Sequence, residues 1–503
     1  MYKVIKRTQH FKLKVPDLDT VIYKLYAFHQ TLTTYTKIFI KRGKRKETKR
    51  KVDKKYYVID ERDNSIRYPI SLIDKFIGFM SNYFTDDVDI INELPPEGDD
   101  IEFEMTHGFE LRDYQIEAIE GILKSKNVYL VDLPTGSGKS IIGLEAARHI
   151  GKRFGFIILP TYIDKWIKDI KRYTDITDEE IYVVQGGDSL RTLLMMDDLS
   201  GIKVILFSMS TLRNYLKEWL NADEEFTYPV EPDKLIEKTG LGLLISDESH
   251  QEFHNLYTIM CFLNVKKFVG MTATLEHKDA TINDMYKVLF PEDQRASNGR
   301  RYEKYITVVS VKYYLRNRKV IEYKTNYGYS QSTFEKSILL HSDVLDRYLS
   351  MIAKMVKAMY IDRKDRKDGD KMLIFAGTIK MCEAIRDKLR KEFKDLNLKI
   401  DKYNAEDDFS VLMESDIIVS TIQSAGTAVD IPNLIAVLQT VATESVQANK
   451  QSIGRLRNIK REVVFAYIWC GDIHSHYKYN KARLKYFEDK AKEIRLITFK
   501  VPI

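Results

Sequence analysis

The chain has 503 residues, 44% of them hydrophobic and 30% charged, with 23 Gly, 11 Pro and 3 Cys. These values exclude a disordered or collagen-like chain and a disulfide scaffold, favour a reducing compartment, and predict about three folding units. The net charge of +7 is uneven: residues 1–60 hold 17 Lys or Arg against 5 Asp or Glu, a local excess of 12, and the remaining 443 residues carry −5.

Residues 1–100 read as a small α+β accessory domain. FKLKV and KIFIKR are predicted strands. Between Lys37 and Lys55 lie eleven basic residues and only Glu47 and Asp53 as acids, which reads as an extended charged loop. KYYVIDERDNSIRY is predicted as strand, Asp-Asn turn and strand, and SLIDKFIGFMSNYF has helical apolar spacing. ELPPEGDD, residues 93–100, reads as a linker. A basic end suggests a polyanionic partner, nucleic acid before membrane. Lys41, Arg42, Lys44, Arg45 and Lys46 are the densest cluster and candidate phosphate contacts on duplex; a solvated charged surface is the alternative. The first residues lack a secretory h-region, and no apolar run reaches the roughly 18 residues of a membrane span.

From residue 101 the pattern becomes α/β. FGFIILP, IYVVQ, KVILFS, LGLLISD and KFVGMTA are predicted strands separated by helical segments, as in a buried parallel sheet. ADEEFTYPVEPDKLIEKTGL reads as an excursion. A second α/β unit spans 301–503, with KMLIFAG, LKIDKYN, DIIVST, LIAVLQ and EVVFAYIW as strands. MCEAIRDKLRKEF is an amphipathic helix. In YNKARLKYFEDKAKEIRLITF, Leu484, Phe487, Ala491 and Ile494 predict a terminal helix. Cys261, Cys382 and Cys470 are isolated and expected to be buried, and the ten histidines form no zinc-ligand pattern.

Two motifs carry chemistry. LPTGSGKS, Leu133–Ser140, follows a strand and opens a helix. Its Gly136–Ser137–Gly138 turn offers backbone N–H groups to phosphates at a helix N-terminus. Lys139 suits the β and γ phosphates and Ser140 suits Mg²⁺. The first glycine of the general pattern is replaced by Leu133. LGLLISDESH ends a second strand in Asp247, a candidate Mg²⁺ ligand, and Glu248, a candidate for orienting the attacking water.

Over residues 108–470 the ordered motifs resemble those of superfamily 2 helicases and translocases, which implies two RecA-like domains using ATP and Mg²⁺. FELRDYQ resembles the adenine-recognition element, with Arg112 and Gln115 as base contacts, and Thr135 joins the phosphate loop. DESH and MTATL resemble the second and coupling motifs, implying that His250, Thr272 and Thr274 link phosphate state to domain movement. ILPTY and FSMSTL resemble nucleic-acid-contacting elements, making Thr161, Ser210 and Thr211 backbone contacts. MLIFAGT and VSTIQSAGTAVDIPNL resemble the fourth and fifth motifs, the latter placing Thr421 on nucleic acid and Gly426 and Asp430 near nucleotide. QSIGRLRN resembles the sixth, with Gln451 and Arg455 at the γ-phosphate and Arg457 as a further catalytic candidate. It departs from the family pattern at Asn458, where an arginine is usual.

The arrangement looks closer to the branch-migrating DNA helicases of large tailed phages, the UvsW type, than to RNA helicases. That implies ATP-driven unwinding or branch migration of forked or junction DNA in replication, recombination and repair. It also implies host cytoplasm, a workable monomer and no obligatory protein partner. An RNA helicase, the motor subunit of a restriction complex and a nucleic-acid binder with a relic ATP site remain alternatives.

Overall fold

Tyr2 and Val4 are buried while Lys3 between them faces solvent, the alternation of a strand with one covered face, and it opens the first strand of the chain. In the computed structural model the chain divides into two units, Met1–Asn298 and Gly299–Ile503. The structure describes all residues except 1, 43–44, 85–87, 107–109, 135, 274–279, 298–303, 327, 405–406, 409, 426–430, 460 and 489, and not the side chains of 36–51, 83, 423, 425 and 447.

The first unit begins with β1 (Tyr2–Lys6), β2 (His10–Lys14), β3 (Thr33–Arg42), β4 (Arg45–Lys55), β5 (Val58–Asp60), β6 (Ser65–Pro69) and β7 (Val88–Asn92). Five of these make a mixed sheet in the order β5-β6-β2-β1-β7. The helix Ile73–Tyr83 packs on it through Phe76, whose ring lies 5.1 Å from Phe11. The other two, β3 and β4, form an antiparallel hairpin registered from Thr33↔Lys55 to Arg42↔Arg45. This bears out the strand over KIFIKR and corrects the expected charged loop over 45–55, which is the second strand. Thr, Tyr, Ile and Phe in β3 favour strand, and backbone pairing tolerates basic side chains because it requires no buried face.

The next strands are β8 (Val128–Asp132), β9 (Phe154–Ile158), β10 (Ile181–Val184), β11 (Val204–Ser208), β12 (Leu243–Ser246), β13 (Lys267–Thr272) and β14 (Arg295–Ser297). They form a parallel sheet in the order β10-β11-β9-β12-β13-β8-β14. Every residue of β9 and β11 is buried, as expected for strands covered on both faces.

A buried charge network ties the mixed sheet to this parallel sheet's unit. Asp233 receives Arg67 at 2.5 Å, Arg7 at 2.8 Å and Lys12 at 2.8 Å, and Arg67 also reaches Asp60 at 2.6 Å. Burial opposes ionisation of Asp233, but the cations prevail and hold it well below the usual carboxylate range. The excursion around 222–241 therefore supplies a structural acid. Residues 93–100 are likewise not a free linker. Asp99 N–H donates to Gly240 O at 2.8 Å, and a Cβ on Gly98 would meet Gly242 N at 2.4 Å.

The second unit contains β15 (Ile306–Tyr313), the short pair β16 (Lys324–Thr325) and β17 (Gly328–Tyr329), then β18 (Lys371–Ala376), β19 (Ile400–Tyr403), β20 (Ile417–Thr421), β21 (Leu434–Gln439), β22 (Val463–Cys470) and β23 (Ala491–Thr498). Seven form a second parallel sheet in the order β19-β20-β18-β21-β22-β15-β23. The C-terminal expectation is corrected: the helix His474–Phe487 ends early, and Ala491 and Ile494 lie on β23, paired with β15. That pairing joins segments far apart in sequence, which local helical spacing does not report. The architecture is otherwise the expected one, two RecA-like α/β sheets with a smaller mixed sheet. All three cysteines are buried, and burial pushes each thiol up to about 12. Among the described residues, no helix is long and apolar enough to cross a membrane.

Candidate nucleotide site

The phosphate loop follows β8, and its entry is pinned by Leu133 N–H donating to Thr272 O at 3.1 Å. Gly136 and Gly138 have φ of 85° and 80°, a left-handed conformation that glycine adopts without steric cost. Gly138 has a second constraint: a Cβ there would stand 2.3 Å from the Gln115 amide nitrogen. That amide donates to Ser137 O at 2.9 Å, and the Tyr114 hydroxyl donates to the same carbonyl at 3.0 Å. Gln115 Oε1 also accepts Arg112 N–H at 2.9 Å, while the Arg112 side chain is exposed. Thr135 lies outside the described residues.

Lys139 and Ser140 open the helix Lys139–Ile150. Lys139 Nζ curls over its own loop to Leu133 O at 2.9 Å. Burial lowers its ammonium, against the pull of Glu248 and Asp247. The Ser140 hydroxyl donates to Asp169 Oδ2 at 2.9 Å.

The acids stand just past β12, which neighbours β13. Asp247 Oδ1 accepts Glu248 N–H at 2.9 Å and Oδ2 accepts the Trp166 indole N–H at 2.9 Å. Glu248 has φ of 49°, an uncommon conformation for a side-chain-bearing residue. His250 Nδ1 lies 2.7 Å from Thr272 Oγ1 and 3.4 Å from Glu248 Oε2. Burial, then Lys139, pushes the His250 imidazole down to about 4, so it is neutral at pH 7. Glu248, His250 and buried Thr272 thus lie side by side, with His250 Nδ1 against the Thr272 hydroxyl; Thr274 lies outside the described residues.

Sequence reasoning missed Lys165, Trp166 and Asp169, all on the helix Ile163–Tyr173. Lys165 Nζ is 3.5 Å from Asp169 and 3.9 Å from Asp247. Burial would lower Lys165, but Asp247 and Asp169 outweigh it and raise it. The sequence offers no signal for them beyond the amphipathic spacing of the helix that follows ILPTY.

Of the candidate nucleic-acid contacts, Thr161 is exposed and Ser210 is half-buried beside Ser208. Thr211 is buried and accepts Gly186 N–H at 2.8 Å, so its hydroxyl braces a loop. Lys41, Arg42, Arg45 and Lys46 lie on the β3–β4 hairpin, their side chains outside the described set, as is Lys44 altogether. In the second unit, Thr421 Oγ1 donates to Ser424 Oγ at 2.9 Å. Gln451 and Arg455 are buried, and Arg457 turns back to donate to Gly454 O. Gly426 and Asp430 lie outside the described residues.

Residues 108–277 match the family model described as "Type III restriction enzyme, res subunit". The "DNA 3'-5' translocase XPB2" of Sulfurisphaera tokodaii is 31% identical over 207 residues, 40% of this chain and 39% of that protein. Matches to eight such relatives span between 20% and 44% of their own lengths. The structure of S. cerevisiae Dbp5 bound to RNA and ADP BeF3 aligns with 77% of this chain and 89% of its own, at 12% identity and a TM-score of 0.51. T4 UvsW aligns over 99% of both chains at 15% identity, with a TM-score of 0.32, a likeness too weak to choose a subtype. Two parallel α/β sheets, a strand–phosphate loop–helix and the matches to the family model, the Sulfurisphaera translocase and Dbp5 are those of a superfamily 2 helicase fold.

Proposed function

We propose that the chain is an ATP-dependent DNA helicase or translocase that unwinds or branch-migrates forked and junction DNA in replication, recombination and repair. One observation carries the reading: the Gln115-braced phosphate loop with Lys139 beside Asp247 and Glu248. In this reading the loop N–H groups and Lys139 hold phosphates, Glu248 orients water, and Arg455 stabilises charge on the transferring phosphoryl group. His250 and Thr272 relay the state of Glu248 to the end of β13. The accessory sheet spans roughly residues 1–100, and its basic hairpin holds duplex phosphates.

The donor set fits Mg²⁺. Ser140 and Asp247 offer hard oxygens beside the loop. Among the described residues no group of three or more His, Cys, Asp or Glu could hold a metal, and phosphate-bound Mg²⁺ needs only one or two protein oxygens. When bound, Mg²⁺ neutralises charge on the β and γ phosphates.

The test is an ATPase and strand-displacement panel with single-stranded, duplex, forked and four-way junction DNA and matched RNA. Branched DNA is expected to stimulate turnover most, and Lys139→Ala to abolish it. Stimulation by RNA alone would overturn the DNA reading. A second reading, the motor of a restriction complex, is favoured by the match over residues 108–277; it predicts co-purification with a nuclease or methyltransferase.

A further inference from the structure

The helix Ile163–Tyr173 sets Lys165 and Asp169 one turn apart, on the same face, with Trp166 between them. All three reach the residues assigned above to nucleotide and metal. The Trp166 indole anchors Asp247, and Lys165 Nζ lies 4.9 Å from the Trp166 ring centroid. The Ser140 hydroxyl spends its one proton on Asp169, which fixes the rotor and leaves its oxygen lone pairs facing away from Asp169. Lys165 stands between Asp169 and Asp247 and places a positive charge where a divalent ion on Asp247 would feel it.

We propose that Asp169 and Lys165 are positioning residues that tune divalent-ion binding at Ser140 and Asp247 in opposite senses. Asp169 strengthens it by orienting the Ser140 oxygen. Lys165 weakens it by competing for the charge of Asp247 and Asp169. In return, Lys165 supplies positive charge to bound phosphates independently of the metal. The proposal rests on the nucleotide reading given above.

The two roles separate in one measurement, the ratio of the dissociation constant of N-methylanthraniloyl-ADP in EDTA to that in Mg²⁺. This ratio reports the coupling between metal and nucleotide. Lys165→Met weakens binding in EDTA more than in Mg²⁺, so the ratio rises, by about tenfold for a charge at this range. Asp169→Ala lowers the ratio by about tenfold, the usual scale for losing an outer partner of a metal ligand. Asp169→Asn keeps an acceptor for Ser140 and restores much of the ratio. A purely structural role would move both constants together and leave the ratio unchanged. Lys165→Gln repeats the first arm with a smaller change against Trp166, and thermal unfolding in EDTA confirms that each variant is folded. An unchanged ratio in folded Lys165 and Asp169 variants, or shifts of the same sign, overturns the proposal. Failure of the wild-type protein to bind the fluorescent nucleotide in either condition overturns the nucleotide reading, and this inference with it.

Discussion

Gln115 donates its side-chain amide to the Ser137 carbonyl at 2.9 Å, so a residue from an upstream helix holds the phosphate loop from behind. The same amide occupies the space where a Cβ on Gly138 would lie. The two positions are therefore coupled. Gln115→Ala is expected to weaken ATP binding about tenfold by removing one of two donors to a buried carbonyl. Gly138→Ala is expected to be worse, because it adds a clash and strains a left-handed residue. Titration with a fluorescent ATP analogue checks both, and binding by Gly138→Ala equal to wild type would falsify the coupling.

Asp233 gathers Arg7, Lys12 and Arg67 at the junction of the mixed sheet and the first parallel sheet. Asp233→Ala leaves buried cations without their shared acid, a loss of roughly 3–5 kcal/mol. Calorimetry should show a first-unit transition lowered by several degrees. An unchanged transition would mean that the network is not stabilising.

His476 gives a pH dependence of known sign. Its Nδ1 accepts Cys470 N–H at 3.0 Å, and burial, then Arg483, pushes the imidazole from 6.5 down to about 3. Below pH 6.5 the unfolded chain takes up a proton that the folded chain refuses. Its contribution is therefore present at neutral pH and falls by about 1.4 kcal/mol per pH unit between those limits. Denaturant melts at pH 7.5 and 5.0 should show this, with a shallower pH slope for His476→Phe. Identical slopes would rule His476 out.

The β3–β4 hairpin carries Lys41, Arg42, Arg45 and Lys46 on adjoining strand ends. Replacing all four by Gln is expected to weaken duplex binding at low salt. The slope of log affinity against log salt should become shallower by about 0.9 for each phosphate that the hairpin no longer neutralises. Basal ATPase activity should not change. A salt dependence equal to wild type would remove the hairpin from the DNA path.

Much of the nucleotide site was legible because its elements are contiguous. A strand run, two glycines, Lys139 and Ser140 announce a phosphate loop without reference to distant residues, and an apolar run ending in Asp247 and Glu248 announces a strand-end acid pair. Lys165, Trp166 and Asp169 were not legible: on their own helix they read as an ordinary amphipathic face. Only the packing of that helix against the helix Lys139–Ile150 and against Phe156 of β9 turns them toward Asp247 and Ser140. Thr211 shows the reverse case, a hydroxyl at a motif position that the fold spends on Gly186.

The same contrast holds for the fold. Buried parallel strands with helices between them are written locally, as continuous apolar runs and amphipathic spacing, and these determined the two α/β sheets and the smaller basic end. Pairings between remote segments are not written locally. The basic 37–55 stretch as a long hairpin, β23 beside β15, residues 93–100 seated on the first unit and Asp233 as a shared counter-ion were decided by tertiary structure. The physical reason is that backbone pairing and buried charge are satisfied by partners far along the chain, and periodicity describes only which face of an element is apolar.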